Sequence, residues 1–350
     1  MSAIVTTTYG KVGGMEQDGL GVFKGIPFAE PPVGARRWLA PQKPAKWNGT
    51  RDARNFGAAC PQIRMQPVVL AGMQLEEPQS EDCLYLNIWT PKADNKRRPV
   101  MIWIHGGAFR IGSGAQMIYD GSSLARRGDV VVVTINYRLG PFGFLRLADL
   151  TNGKISSTGN EGLLDQIAAL EWVRDNIAPF GGDPSNVTIF GESAGAMSVG
   201  SLLAMLPARG LFHKAIPQSG ACHNGWSIER ANRIAEKIVA RSGAIACNAD
   251  SIRSVPVDKL LTATLLPDGK TEDPELGMAY QAVFDGAQLP GVAIEQVARG
   301  SATHVPVLVG STLEEWKLFT MVDPGTVNID QNELKHRMSR RVGGRWSPID

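Results

Sequence analysis

The fold is decided by the stretch Val187-Thr188-Ile189-Phe190-Gly191-Glu192-Ser193-Ala194-Gly195. Its first four residues have the apolar and β-branched side chains of a buried strand, and small apolar residues typical of a helix begin at Ala194. A sharp turn from strand to helix would hold Ser193 in a strained conformation, and the glycines on both sides would let the crowded backbone pass. The serine hydroxyl would then stand exposed at the amino end of a helix, where free N–H groups favour negative charge.

The Gly-x-Ser-x-Gly pattern is weak when it is taken alone, because a plain Gly-Ser turn can carry the same residues. In this sequence the pattern follows a strand and precedes a helix, which is the context that a nucleophilic serine requires. We therefore interpret Ser193 as a nucleophile.

Strand-like and helix-like segments alternate around this stretch, which predicts an α/β fold with a mostly parallel central sheet and flanking helices. The ligand site of such a sheet lies at the carboxyl ends of its strands. Short β-type runs before about residue 40 predict a small N-terminal antiparallel ribbon, and residues 41–82 are typical of loops. Further strands are predicted at Leu84–Thr90, Val100–Ile104, Val130–Ile135, Ala215–Pro217 and Val305–Val309, and helices at Asn160–Ile177 and Ile228–Ala240.

A second glycine-rich motif, His105-Gly106-Gly107, directly follows the predicted strand Val100–Ile104. Consecutive glycines let backbone N–H groups point into a cavity, and a tetrahedral intermediate needs such donors where its oxygen becomes an anion. The alternative is a structural Gly-Gly loop. Together with the turn at Ser193, the motif predicts an oxyanion hole, to which the N–H of Ala194 would also contribute.

The composition indicates one large globular domain over residues 1–350. Of these residues 43% are hydrophobic and 20% are charged, which is enough apolar material for a large core. The formal net charge is only +2 and no basic patch stands out, so nothing supports a nucleic-acid partner. Nor does the sequence suggest a bound metal.

The N-terminus has neither the basic region nor the apolar region of a secretory signal. No apolar run approaches the roughly 18 residues of a membrane span. We therefore expect a cytoplasmic protein without a membrane span, and a secreted protein whose leader has been removed is the alternative. The four cysteines are too few for a disulfide scaffold.

Several longer segments resemble the type-B carboxylesterases, a family that includes cholinesterases and bacterial para-nitrobenzyl esterases. The nucleophile signature of that family is matched over residues 180–195, and its second signature is matched by Glu81-Asp82-Cys83-Leu84-Tyr85-Leu86-Asn87. The resemblance extends over nearly the whole chain. Further matching segments are Phe23-Lys24-Gly25-Ile26-Pro27-Phe28-Ala29, Asn136-Tyr137-Arg138-Leu139-Gly140 and Gln218-Ser219-Gly220.

The resemblance implies an α/β-hydrolase fold and hydrolysis of small-molecule esters through an acyl-enzyme, without a cofactor. It implies Gly106, Gly107 and Ala194 as oxyanion donors. It also places Cys60 and Cys83 where the family often forms a disulfide, although in a reducing cytoplasm the two would stay thiols. Two further cysteines, Cys222 and Cys247, match no family pair and are expected to be buried free thiols.

The acid of the family is a glutamate in a loop after a late strand. The segment Gly310-Ser311-Thr312-Leu313-Glu314-Glu315-Trp316 takes that place here, and its register puts Glu315 on the acid. Glu314 would match if the loop shifted by one residue. Trp316 stands where the family usually has glycine, and either glutamate could instead be a surface residue.

A catalytic histidine is not matched in this sequence, although a serine hydroxyl needs an adjacent base at neutral pH. We expect His105 to be structural, His213 to precede a strand, and His223 to border the acyl pocket in a binding or packing role. The other two, His304 and His336, are expected at the start of a strand and in a charged, solvated helix. The base segment and the last sheet strands of the family are not matched after Glu315.

Two hypotheses follow from the unmatched histidine. In the first, the chain is a serine carboxylesterase that is short at its C-terminus. In the second, it is a catalytically defective relative. An exposed sheet edge would also favour self-association. The preferred acyl and alcohol groups cannot be read from the sequence.

Overall fold

The computed structural model describes residues 3–64, 74–265, 276, 278–322 and 329–341. The chain divides into a large unit, Met1–Gly310, and a small unit, Ser311–Asp350. The large unit contains the predicted nucleophile and oxyanion glycines, and the small unit contains both candidate acids. The single domain predicted over residues 1–350 stays a prediction.

A seven-stranded sheet is the centre of the large unit. Its order is β10-β9-β7-β8-β6-β4-β3, and β1, β2 and β5 form a separate small sheet. Strand β11 pairs with β12. The strands of the described residues are β1 (Ile4–Thr6), β2 (Lys11–Gly13), β3 (Met15–Gln17), β4 (Leu20–Pro27), β5 (Thr50–Asp52), β6 (Tyr85–Thr90), β7 (Arg98–Ile104), β8 (Val131–Ile135), β9 (Gly182–Glu192), β10 (Lys214–Gln218), β11 (Trp226–Ser227) and β12 (Val283–Phe284).

The central sheet is mixed, with a parallel half and an antiparallel half. Strands β10, β9, β7 and β8 are parallel to one another. Strands β6, β4 and β3 continue the sheet with antiparallel pairs. The predicted N-terminal antiparallel strands β3 and β4 pair with each other and extend the sheet beside β6. The parallel half carries the candidate site.

Helices follow the strands as the alternation predicts. The amphipathic spacing of residues 160–177 forms α3, and residues 228–240 form most of α5, so both predicted helices are confirmed. No helix in the described part of the chain is long and apolar enough to cross a membrane. The α-helices are α1 (Ser122–Gly128), α2 (Gly140–Gly143), α3 (Glu161–Asn176), α4 (Ala194–Ala204), α5 (Ile228–Arg241), α6 (Ala249–Arg253), α7 (Val257–Thr262) and α8 (Ala293–Ala298), with α9 (Lys317–Val322) and α10 (Gln331–Arg341) in the small unit.

The segment Val305–Val309, predicted as a buried strand, runs beside β10 without forming a continuous strand. Val307 bridges to Ala215, and Gly310 bridges to Gln218. Val307, Leu308 and Val309 are 47%, 67% and 64% exposed, so the prediction that they are buried was wrong. Their side chains lie at the outer edge of the described sheet, where no further strand covers them. Self-association through this edge stays a prediction.

The four cysteines are free thiols. The pKa of the Cys83 thiol is raised well above its usual value by a hydrogen bond to Cys60 and by burial. The two cysteines that the resemblance places at a possible disulfide are therefore neighbours. Cys222 is buried as expected, whereas Cys247 is exposed, which corrects the expectation of a second buried thiol.

Candidate active site

Ser193 occupies the sharp turn between β9 and α4 that the sequence predicts. Its backbone has φ 54° and ψ −120°, a conformation that non-glycine residues rarely adopt and that costs roughly 1–3 kcal/mol. The turn is held from two sides: the Ser193 N–H donates to the Gln218 carbonyl at 3.0 Å, and the Ser193 carbonyl accepts from the Met197 N–H at 2.9 Å. The strained residue is therefore fixed by β10 and by the first turn of α4.

The glycines beside Ser193 are required because the turn packs directly on the end of β7. A methyl group added at Gly191 would lie 2.6 Å from the Ile104 carbonyl oxygen, and one added at Gly195 would lie 2.9 Å from the Ile104 carbonyl carbon. Real side chains do not approach backbone atoms so closely. The Gly-x-Ser-x-Gly pattern thus has a tertiary cause, which is the close approach of the β9–α4 turn to β7.

The glycine-rich loop after β7 lies against Ser193. A methyl group added at Gly106 would lie 3.2 Å from Ser193 Cβ and 2.7 Å from the Glu192 carbonyl oxygen. Gly107 has φ 108°, and Ala108 and Phe109 follow with φ 55° and 57°. The sequence indicated the two glycines but gave no signal for the left-handed conformation of Ala108 and Phe109. The backbone of the predicted oxyanion motif therefore lies against Ser193.

His105 is buried beneath this loop and is neutral at physiological pH. Burial lowers the pKa of its imidazole to about 4, and a hydrogen bond to the Gly106 carbonyl opposes the shift. The ring stacks on Tyr137 with centroids 4.5 Å apart, and the Tyr137 hydroxyl donates to the His105 carbonyl at 2.8 Å. These contacts support the structural role that we predicted for His105.

The neutral state of His105 should make the protein less stable in acid. The unfolded chain takes up a proton near the usual histidine pKa of about 6.5, whereas the native imidazole does so only near pH 4. The unfolded state therefore binds more protons between these values, and about 3 kcal/mol of unfolding free energy should be lost as the pH falls from 7 to 4. Urea unfolding at several pH values measures this loss.

In the variant His105→Gln that part of the pH dependence should disappear. His304→Gln, which changes an exposed side chain, is the control. An equally steep loss of stability in His105→Gln and in the unaltered protein would contradict the assignment.

The other histidines of the large unit are not hydrogen-bonded to Ser193. His213 accepts the Val187 N–H at 3.1 Å, and because Val187 lies six residues before Ser193 on β9, the two are ~20 Å apart along the strand. His304 precedes Val307 at the same far end of the sheet. His223 is exposed, five residues beyond the carboxyl end of β10. The sequence matches no catalytic histidine, and the contacts of these three histidines likewise identify none of them as the base.

Both candidate acids lie in the small unit and are exposed. Glu315 accepts the Thr312 N–H at 2.7 Å, whereas Glu314 forms an ion pair with Lys317 at 2.9 Å. The last histidine, His336, is exposed on α10 of the same unit, as predicted. The structure thus gives each glutamate a local partner, the Thr312 N–H for Glu315 and the Lys317 ammonium for Glu314.

Two features of the site were not singled out as functional in the sequence. Gly220 lies beneath the turn, since a methyl group there would lie 2.7 Å from the Ser193 carbonyl oxygen. Ser219 has φ 54° and donates its N–H to the Gly310 carbonyl at 2.8 Å. The Gln218-Ser219-Gly220 match was the signal that could have found them. No cluster of three metal-ligating side chains occurs among the residues that the structure describes.

The chain is similar in sequence to known esterases and hydrolases over most of its length. The sequence model of the carboxylesterase family matches residues 1–343. The chain is 45% identical over 322 residues to the para-nitrobenzyl esterase of Bacillus subtilis strain 168, with 91% of this chain and 64% of that protein covered. It is 37% identical over 349 residues to the phenmedipham hydrolase of Pseudarthrobacter oxydans, with 97% and 67% covered. The chain thus spans less than two thirds of the length of the Bacillus relative.

The fold is also similar to those of solved esterase structures. A carboxylesterase of Geobacillus stearothermophilus solved at pH 6.8 superposes with a TM-score of 0.87 at 44% identity, covering 99% of this chain and 70% of that one. A thermophilic para-nitrobenzyl esterase gives a TM-score of 0.87 at 42% identity, with 98% and 69% covered. The predicted α/β-hydrolase fold is confirmed.

Proposed function

The chain belongs to the carboxylesterase family, and on that premise we propose that it is a serine carboxylesterase that hydrolyses small-molecule esters through an acyl-enzyme. One observation supports this proposal most directly. The strained Ser193 and the Gly106 backbone come from different strands, yet a methyl group on Gly106 would lie only 3.2 Å from Ser193 Cβ. A nucleophile and a source of oxyanion donors are thus adjacent.

In the proposed reaction the Ser193 hydroxyl oxygen adds to the ester carbonyl carbon while a general base takes its proton. The carbonyl oxygen becomes an anion, and the N–H groups of Gly106, Gly107 and Ala194 stabilise it. The intermediate then expels the alcohol, which leaves with the proton, and an acyl-serine remains. Water attacks this acyl group by the same route, which releases the carboxylic acid and restores Ser193. Each step proceeds without a cofactor.

Glu315 is proposed as the acid that orients the base, with Glu314 as the less favoured candidate. The register of the match between residues 310–316 and the acid segment of the family supports this preference, because it places Glu315 on the acid. No histidine of this chain is assigned as the base. The names of the relatives, an esterase and a hydrolase, give no support to the alternative of a catalytically defective relative.

Covalent trapping tests the proposed nucleophile. An aryl fluorophosphonate should lose fluoride and attach one phosphonyl group to the Ser193 oxygen, and hydrolysis of p-nitrophenyl butyrate should disappear in proportion to the labelling. Peptide mass spectrometry locates the group, and Ser193→Ala should remain unlabelled. Complete inhibition with the phosphonyl group on another residue would refute Ser193 as the nucleophile.

A further inference from the structure

The loop of residues 105–114, here called the oxyanion loop, has an unusual backbone. Besides the positive φ angles at residues 107–109, Gly112 has φ 113°. Inside the loop, the N–H groups of Arg110 and Ile111 both donate to the Gly107 carbonyl. A segment with so many rarely adopted conformations keeps its shape only where surrounding groups fix it. The contacts that fix it are therefore of functional interest.

Gln62 binds the oxyanion loop from a distant part of the sequence. Its side chain is 6% exposed. The Gln62 Nε2 donates to the Gly112 carbonyl at 2.9 Å, and Oε1 accepts the Gly112 N–H at 2.8 Å. The same Nε2 donates to the Cys60 carbonyl at 3.0 Å. The Gln62 amide thus hydrogen-bonds to both polar groups of the Gly112 backbone and connects them to the Cys60 carbonyl.

Gly112 in turn lies against the start of the loop. A methyl group added at Gly112 would lie 2.8 Å from the Gly106 carbonyl oxygen and 2.9 Å from His105 Cε1. Gly106 itself lies against Ser193. A direct series of contacts therefore runs from Gln62 through Gly112 and Gly106 to the nucleophile.

The far end of the loop has a separate attachment. The Gly114 N–H donates to Asn136 Oδ1 at 2.8 Å, and Asn136 Nδ2 donates to the Ala58 carbonyl at 3.0 Å. Loss of Gln62 would therefore leave the loop attached at Gly114 while freeing the backbone at Gly112. The contacts of Gln62 at Gly112 therefore fix the oxyanion donors, whereas the contacts of Asn136 at Gly114 keep the end of the loop attached.

We propose that Gln62 is a positioning residue for ester hydrolysis, one that fixes Gly112 and thereby the Gly106 and Gly107 backbone relative to Ser193. The inference rests on the proposed function and adds to it a residue whose side-chain amide hydrogen-bonds to Gly112 and Cys60 and not to Ser193 or the predicted donors. Oxyanion stabilisation is sensitive to small displacements, because its donors act only when they are held at the developing charge.

Steady-state hydrolysis of p-nitrophenyl butyrate tests the proposal with Gln62→Leu and Gln62→Glu. In both variants we expect kcat to fall about 10- to 100-fold, less than for complete removal of a donor, with KM changed less than about threefold. Gln42→Leu, which changes an exposed glutamine, is the matched control and should keep the unaltered kcat. Measurement well below the unfolding temperature keeps all the variants folded.

The pH dependence of Gln62→Glu separates positioning from general destabilisation. The introduced carboxylate would face the carbonyl oxygens of Gly112 and Cys60, and burial among acceptors raises the pKa of a carboxyl group. Once protonated, it regains one donor and keeps one acceptor. The ratio of kcat between Gln62→Glu and the unaltered protein should therefore rise as the pH falls from about 8 to about 6, whereas Gln62→Leu should show no such rise.

Hydrogen exchange gives a readout that does not depend on turnover. Amides of residues 105–114 should exchange faster in Gln62→Leu, while those of β7 stay as protected as in the unaltered protein. If Ser193→Ala abolishes hydrolysis but both Gln62 variants keep the unaltered kcat and loop protection, the positioning role is wrong and the proposed function stands. If hydrolysis does not depend on Ser193, the proposed function fails, and with it the catalytic role of Gln62.

Discussion

Replacing Ser193 by alanine is expected to lower kcat/KM for p-nitrophenyl butyrate by about four to six orders of magnitude. The reason is that the acyl-enzyme route requires the serine oxygen as the attacking atom, so only uncatalysed attack by water near the oxyanion donors remains. Alanine removes this oxygen and leaves the packing around Gly191 and Gly195 unchanged. Initial rates with a short-chain p-nitrophenyl ester measure the loss.

Ser185→Ala is the matched control for this substitution. Ser185 lies on the same strand, β9, but its side chain is exposed near the other end. This variant should hydrolyse the ester at the unaltered rate. An unchanged rate in Ser193→Ala would show that hydrolysis proceeds at another group, and the proposed mechanism would have to be abandoned.

Replacing Glu315 by glutamine should give the second largest effect, a fall in kcat of about three to four orders of magnitude. Glutamine keeps the size of the side chain and an acceptor for the Thr312 N–H, which Glu315 binds at 2.7 Å. It removes the negative charge that would orient the base and stabilise its protonated form. The loss should therefore appear in kcat with little change in thermal stability.

Glu314→Gln is the direct comparison, because the two glutamates are adjacent and both exposed. It removes the ion pair with Lys317, which at the surface is worth at most about 1 kcal/mol, and it should leave kcat within about threefold of the unaltered value. The opposite result, a large loss in Glu314→Gln and none in Glu315→Gln, would mean that the register of the acid loop is shifted by one residue.

Local sequence patterns were sufficient to predict a helix or strand that is specified by the residues of one continuous segment. The spacing of apolar residues in α3 and α5 is repeated within a single helix, and both helices were predicted to within a few residues. Patterns failed where the outcome depends on which strands become neighbours. The composition of β3 and β4 predicts an antiparallel pair but does not tell whether that pair stands apart or joins the central sheet. The apolar run Val305–Val309 is typical of a buried strand, although Val307, Leu308 and Val309 lie at an exposed edge.

By itself the sequence determined the strand–turn–helix around Ser193, the glycine motif after β7 and the resemblance to carboxylesterases, because each depends on residues adjacent in the chain. The tertiary structure decided the rest. It brings Gly106 against Ser193, keeps His105 neutral by burial, and joins Gln62 to Gly112 across fifty residues of sequence. These contacts follow from the parallel pairing of β7 with β9 and from the position of residues 60–62 against Gly112. Since that pairing depends on the whole core packing at once, no local pattern specifies it.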